Sequence, residues 1–286
     1  MSSKLEKFGA QAWVKVRNST IGEESLLTWH GAIYALIPNE KKTRLFNLVG
    51  MSISRCLDNG EGGWDFMSRE LTYYLDPETN EILQQWHNPW TDKTVTVVHV
   101  ANNPVQGGPF KGEYPARVEG EFTTFSFDLF SSYPNPLAGD DRFLPYSPNP
   151  VYQAAELFKL TVPTADLEDP DRTTVSQLLL AWDRIGPWLP WMQMGDRPGQ
   201  LIYSAHGRKV FAFNELPDLL QHQINTRMPI YRHAPQAELD CDNVTSWTYF
   251  RNHFEDYLAG AEFPIPQTDE PAPYLTPGQP QTDTDR

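Results

Sequence analysis

The chain has 286 residues, which is enough for one large domain or two small ones. Its 37 acidic and 23 basic residues give a net charge of −14, which would repel a nucleic-acid backbone. Neither a secretory signal nor an apolar run of membrane length is present. We therefore expect a soluble, cytoplasmic protein without nucleic-acid or membrane partners.

The predicted strands are rich in β-branched and aromatic residues and are separated by Gly, Pro, Asn and Asp. They cover 29–37, 44–57, 66–75, 81–87, 94–101, 120–131, 151–162, 173–184, 200–206 and 209–213. Turn residues at 76–80 and 88–92 predict two hairpins, and His206 and Lys209 flank a third turn at Gly207. A proline-rich loop follows at 134–150, and helices are predicted over 216–227 and 245–259.

Most of these connections are too short for a parallel crossover, so the pattern predicts a mainly β, antiparallel sheet. About ten strands must curl, and a barrel-like sheet of that size leaves an interior for one small ligand. The C-terminal helices are expected to pack against it. We predict one domain over 1–263 and a disordered tail over 264–286, where six prolines and four acidic residues are concentrated.

Several familiar sites have no counterpart in the sequence. No dinucleotide fingerprint, phosphate loop or nucleophile elbow is present. Cys56 and Cys241 are too few for a disulfide framework, and the seven histidines show no paired metal-ligand spacing. We predict no cofactor and no metal; a metal assembled from distant strands is left open.

Two polar residues stand where the strand pattern predicts an interior. His99 shares a strand face with Val95 and Val97, and Arg55 follows Met51 and Ile53 in the same alternation. His99 is interpreted either as a buried neutral histidine or as a general base. Arg55 needs an anion, which is either a neighbouring carboxylate or a group of a ligand.

Arg69 and Glu70 are neighbours on one strand and must face opposite ways. Arg69 shares its face with Tyr73, and we assign this pair to the interior. A structural Arg–Glu pair formed with other strands is the alternative interpretation.

A second group of candidates follows the strand that ends at Arg184. The segment 185–195 contains Trp188, Trp191 and Met194, held between prolines, and suits a flat apolar ligand. Packing of this loop over the mouth of the barrel is the alternative. His206 is interpreted either as a substrate-facing group or as part of a solvated turn.

Five short segments carry a resemblance to a known family. They are WHGAIY at 29–34, RE at 69–70 with Tyr74 and Asp76, WHNP at 86–89, VHVANNPV at 98–105 and WLPWM at 188–192. In these segments the chain resembles bacterial and fungal proteins of the domain of unknown function 1838 family, over about residues 11–258. The resemblance implies kinship with members from aromatic-degrading bacteria that are γ-formaldehyde lyases of lignin-derived phenylcoumaran dimers.

Such a reaction needs a base, an acid and a group that stabilises a phenolate, but no metal, flavin or nicotinamide. The catalytic candidates are therefore His99 or a nearby carboxylate as base, Tyr73 as acid and Arg55 or Arg184 as anion stabiliser. The substrate-binding candidates are Arg69, Asn88, Arg184, Trp188, Trp191, Met194 and His206. A carrier of an aromatic or isoprenoid ligand and an isomerase or cyclase of a phenol are the alternatives, and self-association into a homo-oligomer is left open.

Overall fold

A computed structural model of the protein describes residues 3–274. Its strands are β1 (Ser3–Gly9), β2 (Ser25–Leu36), β3 (Thr43–Asp58), β4 (Trp64–Leu75), β5 (Gln85–Asn88), β6 (Lys93–Thr96), β7 (Val100–Phe110), β8 (Glu113–Glu119), β9 (Phe122–Pro134), β10 (Val151–Pro163), β11 (Leu179–Gly186) and β12 (Gln200–Val210). The helices are α1 (Ala10–Arg17), α2 (Thr164–Glu168), α3 (Asp218–Thr226), α4 (Ser246–Asn252) and α5 (Phe254–Leu258).

Ten strands form one antiparallel sheet in the order β1-β8-β9-β10-β11-β12-β2-β3-β4-β7, and β5 pairs with β6 in a small second sheet. The large sheet curls into a half-barrel, which confirms the predicted mainly β, barrel-like fold. The register is continuous across its centre: Trp29 on β2 lies opposite Gly207 on β12 and Gly50 on β3.

Three local predictions are wrong. The strand predicted over 94–101 is interrupted between β6 and β7. Gly207 is not in a turn, because β12 pairs with β2 without a break from Gln200 to Val210. The turn at 76–80 forms and Leu75 pairs with Ile82 across it, but the hairpin ends there, and β7 is the neighbour of β4 along the rest of the strand. Tertiary pairing decides all three outcomes.

Four elements near the termini and edges have no sequence signal strong enough to predict them: β1, α1, β8 and α2. The eight-residue α1 has no side-chain cap at its start. Its stability comes from burial, because Val14 and Val16 are almost completely enclosed.

The aromatic stripe predicted near residue 250 packs against the proline-rich loop. The ring centroids of Phe143 and Phe254 are 4.7 Å apart, and those of Tyr146 and Phe250 are 5.3 Å apart. His253 separates α4 from α5, so the predicted single helix is two short ones.

The predicted tail begins at Pro264, and its described part follows the surface of the domain. The Ile265 amide donates to the Tyr249 hydroxyl at 2.9 Å, and Glu270 pairs with Arg69. Residues 275–286 of the predicted tail lie outside the described residues.

No helix within residues 3–274 is long and apolar enough to cross a membrane. The cytoplasmic location and the homo-oligomer stay predictions.

Candidate functional site

One face of the half-barrel is concave, and a hydrogen bond between two tyrosines identifies it. Tyr74 on β4 and Tyr203 on β12 bond through their side chains, although β2 and β3 lie between their strands. Three strand spacings in a flat sheet would separate them by about 14 Å. The face that carries Tyr74 and Tyr203 is therefore the inside of the curl, here called the concave face; the opposite face is the convex face.

Helix α1 lies against one end of the concave face and ends in Arg17. The Arg17 Nη2 donates to Ser52 Oγ at 3.4 Å and lies 3.9 Å from Glu70 Oε1. The guanidinium carbon lies 4.7 Å from the centroid of the Phe66 ring. A cation carried by a short helix thus sits over strands β3 and β4.

Glu70 is the central acidic group of this end, and the register fixes its neighbours. It lies opposite Ser52 on β3 and opposite Asn102 on β7, so the three side chains form one cross-strand row. Desolvation raises the pKa of the Glu70 carboxyl; Glu156 raises it further, while Arg17 and a hydrogen bond from Asn102 oppose the shift. The side chain keeps 28% of its exposure, so this desolvated carboxyl still faces open space.

Arg184 on β11 is the cation of the other end. Its Nη2 donates to the Tyr152 hydroxyl at 2.8 Å, its Nε lies 3.8 Å from Glu156, and its guanidinium carbon lies 5.0 Å from the Tyr203 ring centroid. A Cβ at Gly186 would stand 2.8 Å from Arg184 Nη1, so this glycine leaves room for the guanidinium. Glu156 is also held by the Trp182 indole at 2.9 Å.

Aromatic rings line the concave face between the two ends. Trp29 and Trp182 meet edge to face with centroids 6.5 Å apart, and Phe158 stacks on Trp182 and on Phe127. Gly50 makes the place of Trp29 possible, because a Cβ there would lie 2.4 Å from the indole nitrogen. These four rings are only partly buried, so they offer flat apolar surface to a ligand.

Unused hydrogen-bonding atoms concentrate on this face. Arg17 Nε, Trp29 Nε1, Asn102 Oδ1 and Arg184 Nη1 are buried and have no partner in the described part of the chain. Of the seven further atoms of this kind, Trp191 Nε1 belongs to a ring that packs on Tyr74, and the other six lie in separate regions. Buried polar groups are normally hydrogen-bonded. Three free donors and one free acceptor around aromatic walls therefore indicate a binding site for an aromatic ligand with oxygen substituents.

The comparison with known families supports the sequence resemblance. A model of the family described as "Protein of unknown function (DUF1838)" matches residues 22–254. The chain belongs to the DUF1838 family. The matched region includes Glu70, Asn102, Glu156 and Arg184, whereas Arg17 precedes it. No curated protein matches the chain.

In this DUF1838 member, two predicted site residues lie on the concave side of the sheet: Arg184, which packs on Tyr203, and Trp191, which packs on Tyr74. The assignment of Arg69 and Tyr73 to the interior is wrong, because their neighbours Glu70 and Tyr74 occupy it. Arg69 and Tyr73 are nevertheless buried, since α3 and residues 229–232 cover the convex face. Alternation along β4 places Arg69 and Tyr73 on the face opposite to Glu70 and Tyr74. Other elements cover both faces of the strand.

His99 is a core residue between two tyrosines. Its Nδ1 accepts a hydrogen bond from the Tyr74 amide at 3.0 Å, and burial lowers the pKa of the imidazole to about 3. The ring is 1% exposed. Of the two interpretations of His99, this geometry corresponds to the buried neutral histidine and not to the general base.

Arg55 and His206 lie on the convex side. Arg55 bonds to the Gly22 carbonyl and pairs with Glu24 at 3.2 Å, so a protein carboxylate supplies its anion. His206 is exposed, and its ring centroid lies 4.0 Å from that of His30. Neither side chain belongs to the Glu70 or Arg184 group.

The aromatic segment near residue 190 packs into the core. Trp191 is 2% exposed and contacts Phe46 and Trp86, and the Trp188 indole donates to the Arg197 carbonyl. Asn88 is buried and donates to the Met192 carbonyl at 2.7 Å and to Met194 Sδ at 3.1 Å. Of the two interpretations, loop packing describes these contacts.

Sequence reasoning missed Arg17, Glu70, Asn102, Glu156 and Tyr203. Glu70 and Asn102 stand inside segments that carry the family resemblance, which is the signal by which they could have been found. Arg17 gives no such signal, because only the docking of α1 brings it to β3 and β4. Within residues 3–274, no cluster of three or more His, Cys, Asp or Glu side chains is placed to hold a metal ion.

Proposed function

We propose that the protein is a cofactor-independent carbon–carbon lyase that releases formaldehyde from a lignin-derived phenylcoumaran dimer and leaves a stilbene. One observation carries the proposal: a desolvated carboxyl, Glu70, and a buried cation, Arg184, stand at opposite ends of one aromatic-lined concave face. The family resemblance suggests the reaction, and the site supplies groups that suit it.

The reaction balances without a redox partner. A base removes the proton of the primary alcohol, and the bond between the alcohol carbon and the ring carbon breaks as formaldehyde leaves. The freed electron pair forms the double bond of the stilbene and expels the dihydrofuran oxygen as a phenolate, which then takes up a proton. The substrate is thus divided into formaldehyde and a stilbene phenol.

Glu70 is the base in this proposal. Its pKa is raised, which is the direction that makes a carboxylate a better general base, and Asn102 and Arg17 hold it in place. Arg184 is the cation nearest to the developing phenolate at the other end. Trp29 and Trp182 would contact the two aryl rings between these groups.

The test is to incubate the purified protein with a phenylcoumaran acid or alcohol and to follow formaldehyde by a colour reaction and the stilbene by its ultraviolet absorbance. Glu70→Gln should lower kcat by about 100-fold or more, because general base catalysis contributes about that much. Glu24→Gln is the control, since Glu24 pairs with Arg55 on the convex side. Neither product from the wild type would overturn the proposal, and a product isomeric with the substrate would support an isomerase instead.

A ligand carrier is the second candidate, and the aromatic lining favours it because the rings of Trp29, Trp182 and Phe158 need no chemistry to hold a flat molecule. A carrier should bind a stilbene or phenylcoumaran, seen as quenching of tryptophan fluorescence, and return it unchanged. In that case Glu70→Gln would alter affinity alone.

A further inference from the structure

We propose that Arg184, Tyr152 and Tyr203 form a receptor for an aryl oxyanion, with Tyr74 as the residue that orients Tyr203. This assignment rests on the proposed function, in which ring opening leaves a phenolate. It adds two hydrogen-bond donors that the sequence did not indicate, Tyr152 and Tyr203, and it names the group that they bind together with Arg184.

One nitrogen of the Arg184 guanidinium has no hydrogen-bond partner in the described part of the chain. Its Nη2 is bound to the Tyr152 hydroxyl, its Nε faces Glu156, and its Nη1 is buried without a partner. The side chain is 9% exposed, so water does not satisfy the free N–H. An unused charged donor in a buried position is a place for a ligand anion.

The two tyrosines supply further hydroxyl groups beside Arg184. Tyr152 accepts from Arg184, and the Tyr203 hydroxyl meets that of Tyr74. A phenol that accepts through its oxygen keeps its own proton to donate. Burial raises the pKa of the Tyr74 and Tyr203 hydroxyls, so both remain protonated donors at neutral pH.

The contact between the Tyr74 and Tyr203 hydroxyls makes Tyr74 a positioning residue. Tyr74 is fixed from behind, since its amide donates to His99 and its ring packs on Trp191. Donors fixed by the fold before the ligand binds stabilise a developing charge without reorganisation. The buried His99 and Trp191 thus support the site from the core without touching a ligand.

One carboxylate, Glu156, also faces this end and opposes an anion. Glu156 lies on the Nε edge of Arg184, where it accepts a hydrogen bond from the Trp182 indole. Its negative charge also raises the pKa of Glu70 across the concave face. The free Nη1 is a different nitrogen from the Nε that Glu156 faces. Removing the Glu156 charge should therefore strengthen anion binding.

The test uses 4-nitrophenol, whose ionised and neutral forms absorb at different wavelengths, so that no turnover is needed. The wild type should bind the nitrophenolate at least tenfold more tightly than the neutral form, seen as a lowered apparent pKa of the bound probe. Arg184→Gln should abolish this preference, and Tyr203→Phe and Tyr152→Phe should each reduce it several-fold. Tyr74→Phe should reduce it less while leaving the affinity for the neutral form unchanged, and Glu156→Gln should increase it.

Tyr73→Phe is the matched control, because Tyr73 is equally buried on the convex face and its hydroxyl meets Gln223 at 3.3 Å. Circular dichroism of each variant establishes that it is folded. Equal binding of both probe forms by the wild type, no binding of either, or an unchanged preference in Arg184→Gln would overturn the receptor. A preference for the phenolate without any formaldehyde release would sustain the receptor and reject the lyase.

Discussion

Strand β4 carries two adjacent charged residues whose surroundings are opposite in kind. Arg69, on the convex face, donates to the Asn103 side chain, to the carbonyls of Ile230 and His233 and to Glu270, and leaves no buried atom unpaired. Glu70, on the concave face, shares its space with the free Nε of Arg17 and the free Oδ1 of Asn102. Both residues look like interior charges in the sequence.

The contrast teaches that burial by itself does not mark function in this sheet. Arg69 is more deeply buried than Arg17, yet β7, residues 230–233 and Glu270 supply it with partners. A charge that is fully paired stabilises the fold, whereas charges with unused donors and acceptors are available to a ligand. Four substitutions test this contrast.

The largest effect on stability is expected from Arg69→Met, which keeps the apolar stem and removes every donor. Two carbonyls and the Asn103 amide then lose their partners, so the free energy of unfolding should fall by about 3 kcal/mol or more. Urea denaturation measures this loss. Arg17→Met on the concave face should cost far less stability, and an equal loss in both variants would contradict the division between the two faces.

Gly50→Ala should come next. The added Cβ would lie 2.4 Å from the Trp29 indole nitrogen and from Thr72 Oγ1, so the ring must move. We expect a loss of about 2 kcal/mol by overpacking, with a shift in tryptophan emission and weaker binding of aromatic ligands. Gly107→Ala is the control, since a Cβ there meets nothing within 4 Å. Wild-type emission and affinity in Gly50→Ala would show that Trp29 does not line the site.

His99→Asn should change the pH dependence of stability. The folded protein holds the pKa of His99 at about 3, below the unfolded value of 6.5, so between these pH values the unfolded chain binds the extra proton. The free energy of unfolding should therefore fall as the pH is lowered from 6.5, by up to about 1.4 kcal/mol per pH unit. Asparagine offers an oxygen to the Tyr74 amide but does not titrate, so its slope should be flatter.

Denaturation at several pH values measures both slopes, with the exposed His222→Asn as control. Parallel curves for wild type and His99→Asn would mean that the pKa of His99 is the same in the folded and the unfolded state, against the expected shift. A large loss of turnover with unchanged stability would instead restore His99 as the base.

The smallest effect is expected from Arg55→Gln. Arg55 and Glu24 are both partly exposed, and such a pair contributes less than about 1 kcal/mol. Turnover and ligand affinity should stay at the wild-type level, because Arg55 lies on the convex side. A tenfold loss of kcat would show that Arg55 takes part in the reaction and would contradict the functional difference between the convex and concave faces.

The strand pattern was sufficient for the sheet but not for choosing between its faces. On β3 the ten residues from Leu45 to Ser54 are buried without alternation, because the convex face is covered as well as the concave one. Period-2 alternation separates Arg69 from Glu70 but cannot say which one faces the ligand when both faces are enclosed. That choice follows from the curl and from the docking of α3.

The candidate site shows the same limit. Arg184 could be predicted because it follows apolar residues on the same strand face. Glu70 and Arg69 were the two neighbouring residues of which one had to face the ligand. Arg17 could not be predicted, since it is brought to Glu70 by a helix with no cap and a weak pattern. Trp188 and Trp191 looked like a ligand surface, but Trp191 packs against Phe46 and Trp86, and Trp188 packs against Trp90.

By itself the sequence determined the mainly β class, the short antiparallel connections and membership in a family, because these depend on local periodicity, turn residues and motifs. Only the tertiary structure decided which polar side chains meet. The sheet curls so that Tyr74 bonds Tyr203 across two strands, and α1 delivers Arg17 to Glu70. Such meetings depend on curvature and docking, which no spacing along the chain encodes.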